Sequence, residues 1–107
     1  MKILRIYMGE HDKYKHYPMY EYILKRCYEL KIAGATVIKG IMGFGQNRHI
    51  HRSDFFTLSE DLPIIIEIVD TEEKIKVIEN EVSQLPFDGI MVVHNAEVIT
   101  VKKGAEI

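Results

Sequence analysis

The amino-acid sequence predicts an α+β sandwich: a four-stranded antiparallel sheet with two helices packed on one of its faces. Three observations lead there. Two segments carry apolar residues at helical spacing, one from Tyr20 to Leu30 and one from Ile75 to Leu85. The runs between and around them are β-branched and apolar, as strands are. The order is β-α-β-β-α-β, the split βαβ or ferredoxin-like arrangement.

The elements follow in order. Ile3 to Met8 alternates between two faces and predicts the first strand. Residues 9–17 are polar, charged and aromatic, and predict a loop. Pro18 suits a first helical turn, where a missing N–H costs nothing. Tyr20, Ile23, Leu24, Cys27 and Leu30 then form an apolar stripe, and Gly34 is placed to end that helix in a left-handed cap. Ala35 to Met42 predicts the second strand and Leu62 to Val69 the third. Asp70 followed by Glu73 has the spacing of a capping box, ahead of the inner stripe Ile75, Ile78, Val82 and Leu85. Pro86, Asp88 and Gly89 make a turn, and Ile90 to Val101 predicts a fourth strand, straight or bent. Residues 1–101 are expected to form a single domain, with 102–107 as a C-terminal tail. Right-handed crossovers give the strand order 4-1-3-2.

Two helices cover one face of such a sheet, and the other face should be polar in a monomer. Here it is expected to carry Ile3, Arg5 and Tyr7 from the first strand, Val37, Lys39 and Ile41 from the second, and Ile65, Glu67 and Val69 from the third. Each set brackets one charge with apolar residues. The strand order puts Glu67 between Arg5 and Lys39, so the charges can pair when the face is covered. That pattern predicts a subunit interface, and hence a homo-oligomer.

Composition excludes several classes. The formal net charge of -2 argues against whole-molecule attraction to nucleic acid or to acidic membranes. The longest apolar run, Leu62 to Ile66, is too short to span a bilayer. Met1 to Arg5 leads straight into strand alternation without a signal-peptide pattern, so a cytoplasmic location is expected. Cys27 is the only cysteine, which rules out an intrachain disulfide, and its place in the apolar helical stripe predicts an unreactive core thiol.

Most of the available chemistry lies between the second and third strands. Gly43, Phe44 and Gly45 open a loop that continues through Arg48, His49, His51 and Arg52. Glycine lets backbone approach a ligand closely, and arginine grips phosphate or carboxylate with a forked set of donors. This composition predicts an anion site. It is neither a phosphate-binding loop with Gly-Lys-Ser or Gly-Lys-Thr nor a dinucleotide fingerprint, because Gly40, Gly43 and Gly45 have the wrong spacing and no helix follows. The alternative is a metal site on His49 and His51, whose H-x-H spacing would put both rings on one side of a strand, with Asp54 as third ligand. No catalytic constellation is evident: Ser53, His51 and Asp54 are too close in sequence for a triad, nothing marks out Glu10, Asp12 or Glu21 as an acid or base, and the scattered His11, His16 and His94 receive no role. The protein is therefore expected not to be an enzyme.

Three stretches carry a family resemblance: residues 4–10 (Leu-Arg-Ile-Tyr-Met-Gly-Glu), 34–45 (Gly-Ala-Thr-Val-Ile-Lys-Gly-Ile-Met-Gly-Phe-Gly) and 59–70 (Ser-Glu-Asp-Leu-Pro-Ile-Ile-Ile-Glu-Ile-Val-Asp). Over nearly the whole chain, residues 1 to about 100, the sequence resembles the prokaryotic family filed as domain of unknown function 190. That family is similar in fold to the PII nitrogen-regulatory signalling proteins and more distantly to the CutA divalent-cation tolerance proteins. The resemblance implies a homotrimer. It also implies that the loop from about residue 43 to 61 can reach a protein partner, and that a nucleotide or other anionic ligand can bind near the loop's base. The turn Phe87-Asp88-Gly89 stands where PII proteins carry a second glycine-rich turn, which adds Gly89 to the ligand-binding candidates. The loop lacks the tyrosine that is modified in PII proteins. The reading that follows is a PII-like sensing or signalling protein, with a CutA-like metal-binding protein as the alternative.

Overall fold

A computed structural model of the chain describes residues 1–44 and 61–104. Its elements are β1 (Lys2–Gly9), β2 (Lys13–Tyr14), β3 (Tyr17–Pro18), α1 (Met19–Glu29), β4 (Gly34–Lys39), β5 (Pro63–Asp70), α2 (Glu72–Ser83) and β6 (Ile90–Asn95). The main sheet has the order β4-β5-β1-β6, with every neighbouring pair antiparallel. Counting these four strands alone, this is the expected 4-1-3-2 order read from the opposite edge.

The core lies between the sheet and the helices, and alternation explains its membership. Leu4, Ile6 and Met8 of β1 and Ile64, Ile66 and Ile68 of β5 point to the helix side and are buried. Met19, Ile23 and Cys27 of α1 and Ile75, Ile78 and Val82 of α2 meet them at helical spacing. Core side chains pack at near-crystalline density, so even one methylene is felt. Ile78→Val is expected to lower stability by about 0.5–1.5 kcal/mol, read from the midpoint of a urea titration at unchanged slope.

The local chemistry departs from the sequence expectation in five places. First, residues 9–17 are not a plain loop. They contain the β2–β3 hairpin, which turns at Lys15 with φ of 55° and sets the Tyr14 ring 4.4 Å from that of Tyr22. Pro18 precedes the helix as its cap residue rather than forming its first turn.

Second, Gly34 does not end α1. Lys31 takes the left-handed position at φ 58°, the Ile32 N–H donates to the Cys27 carbonyl at 3.0 Å, and the Lys31 N–H donates to the Tyr28 carbonyl at 3.1 Å. That pair of bonds is a Schellman closure three residues earlier. The Lys74 ammonium donates to the Lys31 carbonyl at 2.9 Å and helps hold the residue there. Gly34 opens β4 instead.

Third, Asp70 and Glu73 form no capping box. Thr71 caps α2, its hydroxyl accepting from the Lys74 N–H at 3.4 Å. Asp70 is only 5% exposed. Its carboxylate accepts from the Thr71 N–H at 2.6 Å and from the Ala33 N–H at 2.8 Å, tying the end of β5 to the turn between α1 and β4.

Fourth, two strands are shorter than expected. β4 stops at Lys39, because Gly40 packs against Pro63 and its N–H donates to the Pro63 carbonyl at 2.7 Å. β6 stops at Asn95, and 96–104 continue outside regular structure.

Fifth, β4 faces the other way. Its register sets Thr36 opposite Glu67 and Ile38 opposite Ile65, so these two lie on the open face. Val37 packs against the core and Lys39 lies on the same helix-side face, opposite Ile64. Ile41 lies beyond the strand and is exposed. A phase shift of one residue exchanges every side chain between faces, and the Gly40–Pro63 pairing sets the phase here.

Candidate functional site

One end of the sheet gathers the candidate residues. β1 ends there at Gly9, β4 ends at Lys39, β5 begins at Pro63 and Gly89 stands just before β6. Residues 43 and 44 lead out toward residue 45, and the described chain resumes at Asp61 beside the same strand ends. Gly43 is exposed over Pro63: an added Cβ would stand 3.2 Å from the proline ring, and at Gly40 the separation would fall to 2.7 Å. Phe44 is 75% exposed. Gly89 is held close to β1, where an added Cβ would collide with the Tyr7 carbonyl and come within 2.6 Å of the Phe87 ring. Its small size thus has a packing cause at this position. Gly45, Arg48, His49, His51, Arg52 and Asp54 lie outside the described residues, and so do both sequence readings built on them.

The structure adds residues that sequence spacing did not single out. The turn after β1 is built by Asp12, whose carboxylate accepts from the Gly9 N–H at 2.9 Å. The Glu10 N–H donates to the Leu62 carbonyl at 2.9 Å, and the His11 N–H donates to the Asp61 carboxylate at 3.1 Å. The His11 ring stands 3.8 Å from Asp61 and 4.0 Å from Glu10. Lys39 pairs with Glu10 across the strand ends. Its hydrogen bond is the main reason that the Glu10 carboxyl is held below the usual carboxylate range, against the opposing effect of desolvation. The base of the loop is therefore a mixed-charge rim fastened to the turn after β1, where Gly9 packs against Asp61, Gly40 packs against Pro63 and Gly43 lies exposed over the proline ring. Among the described residues no three histidine, cysteine or carboxylate side chains are grouped to hold a metal.

One other charged cluster and the cysteine are structural. Arg26 of α1 donates to both Glu81 oxygens, at 2.8 and 3.0 Å, and to Glu29 at 2.9 Å. These partners, Glu81 first, raise the guanidinium further above its ordinary value and hold the Glu81 carboxyl below its own. With its donors so engaged, Arg26 is a helix-to-helix clamp rather than an anion receptor. Burial pushes the Cys27 thiol up to about 11, with Glu81 adding to the effect, which removes the thiolate that a nucleophile needs.

The open face of the sheet carries the expected ion pair in part. Arg5 Nε donates to Glu67 Oε2 at 2.9 Å, but Lys39 is absent from this face because of the β4 register. His94 takes its place: Arg5 Nη1 lies 2.9 Å from His94 Nε2, on the neighbouring strand β6. Cross-strand register then lines up Ile38, Ile65, Tyr7 and Ile90 as an apolar row beside the Thr36–Glu67–Arg5–Val92 row.

Four antiparallel strands under two helices, with a long connection leaving the sheet between β4 and β5, make up the PII-like form of the ferredoxin-type fold. The structure of CPII from Thiomonas intermedia K12 bound to ADP, AMP and acetate aligns with a TM-score of 0.63 and 18% identity, covering 92% of this chain and 88% of that one. CPII bound to ADP, AMP and bicarbonate, described as a nitrogen regulatory PII-like protein, aligns at 0.58 and 20% identity over 87% and 82% of the two chains. At these identities the likeness is one of fold.

The chain belongs to the DUF190 family, described as Uncharacterized ACR, COG1993, which it matches over residues 1–98. It is 37% identical over 98 residues to a UPF0166 protein of Aquifex aeolicus, covering 92% of each chain. It is 50% identical over 74 residues to a UPF0166 protein of Methanocaldococcus jannaschii, covering 69% of this chain and 68% of that one. Among the described residues no helix is long and apolar enough to cross a membrane.

Proposed function

We propose that this protein is a cytoplasmic, non-enzymatic PII-like sensor that assembles as a homotrimer and binds an anionic small molecule at the base of the 43–61 loop. The observation that carries the reading is the sheet end itself. Gly9 and Gly40 let the strand ends close tightly on Asp61 and Pro63, and exposed Gly43 leaves backbone open where the arginine-bearing segment begins. CPII, of the same fold, is described with ADP and AMP together with acetate or bicarbonate. An adenine nucleotide with a small carboxylate is accordingly the first ligand class to test. Gly43, Phe44 and Gly45 would frame the ligand, Arg48 and Arg52 would neutralise it, and His49 or His51 would donate hydrogen bonds, with Gly89 at the neighbouring strand end. A ligand that orders the loop changes the surface offered to a partner protein, which is how such a site signals.

The trimer rests on the open face. In an isolated chain Ile3, Tyr7, Ile65 and Val69 are only half covered, and Ile38, Ile90 and Val92 are exposed. Water would contact apolar side chains on all four strands, which association would bury at about 25 cal/mol per Å² before its entropy cost.

The reading is tested by calorimetric titration with ATP, ADP, AMP, bicarbonate and acetate, alone and in pairs, and with Zn²⁺ and Cu²⁺. An anion present at 100 times its Kd is expected to raise stability by about 2.7 kcal/mol, visible as a higher melting temperature. Arg48→Ala combined with Arg52→Ala should weaken that binding by about 2–5 kcal/mol if both side chains make desolvated contacts, with the oligomer unchanged. Metal binding that His49→Ala or His51→Ala abolishes, and the arginine changes do not, would replace the anion reading with the CutA-like one. No response to anions or metals at millimolar concentration refutes both.

A further inference from the structure

We infer that residues 96–103 of one copy add as an extra strand to the β4 edge of a neighbouring copy, filling the apolar groove between that edge and α1. The inference deepens the homo-oligomer reading above and rests on it. β4 is the outermost strand of the main sheet, and no described strand lies beyond it. Its unpaired side can be identified. Gly40 hydrogen-bonds to Pro63, and the β4–β5 register continues in step from that pair. Antiparallel ladders alternate, so Gly34, Thr36 and Ile38 direct their backbone groups at β5 while Ala35, Val37 and Lys39 direct theirs outward. A six-residue edge of this kind, with one charged residue and no proline or bulge, lacks the usual protection against pairing.

The groove beside the edge is lined by Leu24, Cys27, Tyr28, Ile32 and Ala35. Leu24 and Tyr28 are large apolar or aromatic side chains left exposed there. The same chain has a segment that matches both features. Val98, Ile99, Thr100 and Val101 are consecutive β-branched residues, yet they form no strand. Ile99 and Val101 are 77% and 90% exposed. Side chains two apart share a face of a strand, so Ile99 and Val101 would enter the groove while Val98 and Thr100 lie beside Thr36 and Ile38 on the open face.

The occupant has to come from another copy. The segment leaves from the end of β6, where the Ala96 N–H still donates to the Met1 carbonyl. β6 and β4 are opposite edges of the sheet, three strand spacings or about 14 Å apart, with the open face between them. A contact joining one edge of a subunit to the opposite edge of the next is head-to-tail, and such contacts close into a ring when the rotation between copies returns on itself.

The test uses the full chain with Cys27→Ala, carrying either Ile99→Cys or Val37→Cys, mixed by unfolding and refolding together and then oxidised. A disulfide-linked dimer formed only in the mixture is expected, and amide exchange at Ala35, Val37 and Lys39 should quicken at least tenfold in an Ile99→Lys, Val101→Lys variant. A wild-type oligomer by light scattering with no cross-link and unchanged exchange would overturn this pairing while leaving the oligomer reading standing. A cross-link formed only when both cysteines are on one chain would overturn it in favour of a fold-back. A monomeric wild type would overturn both readings together.

Discussion

Asp70→Ala is expected to destabilise the fold by about 2–5 kcal/mol, because it strands two backbone donors that one carboxylate now satisfies. The Thr71 and Ala33 N–H groups meet the two Asp70 oxygens at the junction of β5, α2 and the α1–β4 turn, and the side chain is buried there. Asp70→Asn should fall between wild type and alanine, since an amide keeps one acceptor and turns a donor toward the second N–H. The same geometry sets an acid limit. Burial by itself would raise the Asp70 carboxyl, but the Thr71 and Ala33 N–H groups and the nearby Lys74 outweigh it and hold the group below its ordinary value. A carboxylate depressed in the folded state contributes stability that is fully present above its unfolded value of about 3.9 and is lost as pH falls through the lower folded value. Urea midpoints of wild type and Asp70→Asn from pH 7 down to pH 2 should therefore converge on the acid side. Parallel curves would show that Asp70 is not the group responsible.

The parts legible in the sequence are those where one residue's environment decides its type. Ile64, Ile66 and Ile68 alternate with Ile65, Glu67 and Val69, and the single glutamate marks which set faces away from the helices. The Arg5–Glu67 pair follows from strand order and this alternation, and it is present. β4 offered no such contrast. Thr36-Val37-Ile38-Lys39 places one polar and one apolar residue on each face, so its phase depends on Gly40 meeting Pro63, a contact more than twenty residues away along the chain. The end of α1 departs from the sequence expectation for a related reason. Glycine is the usual left-handed residue, but the Schellman bonds and Lys74 settle that position on Lys31. At the candidate site Gly43 and Phe44 were visible as a glycine-rich opening. The partnership of His11 with Asp61 spans 50 positions, and no local spacing signals it.

Ile65→Asp should dissociate the oligomer while leaving the subunit folded. Ile65 lies in the apolar row Ile38–Ile65–Tyr7–Ile90 on the helix-free face, away from the core set of β5. In an isolated subunit an aspartate there stays partly in water and costs little. In an assembly whose open faces meet, every copy would bury an unpaired carboxylate, at a cost of about 3–5 kcal/mol each. That corresponds to a loss of roughly two to four powers of ten in affinity per copy. Glu67→Ala should act through the opposite sign, leaving Arg5 with only His94 beside it and an uncompensated positive charge in the interface. A change in the connection between β4 and β5, such as Gln46→Ala, should leave assembly as it was. Sedimentation equilibrium from micromolar concentration upward, with circular dichroism to confirm that each variant is folded, separates these outcomes. An Ile65→Asp protein that sediments as wild type would show that the open face is not where the subunits meet.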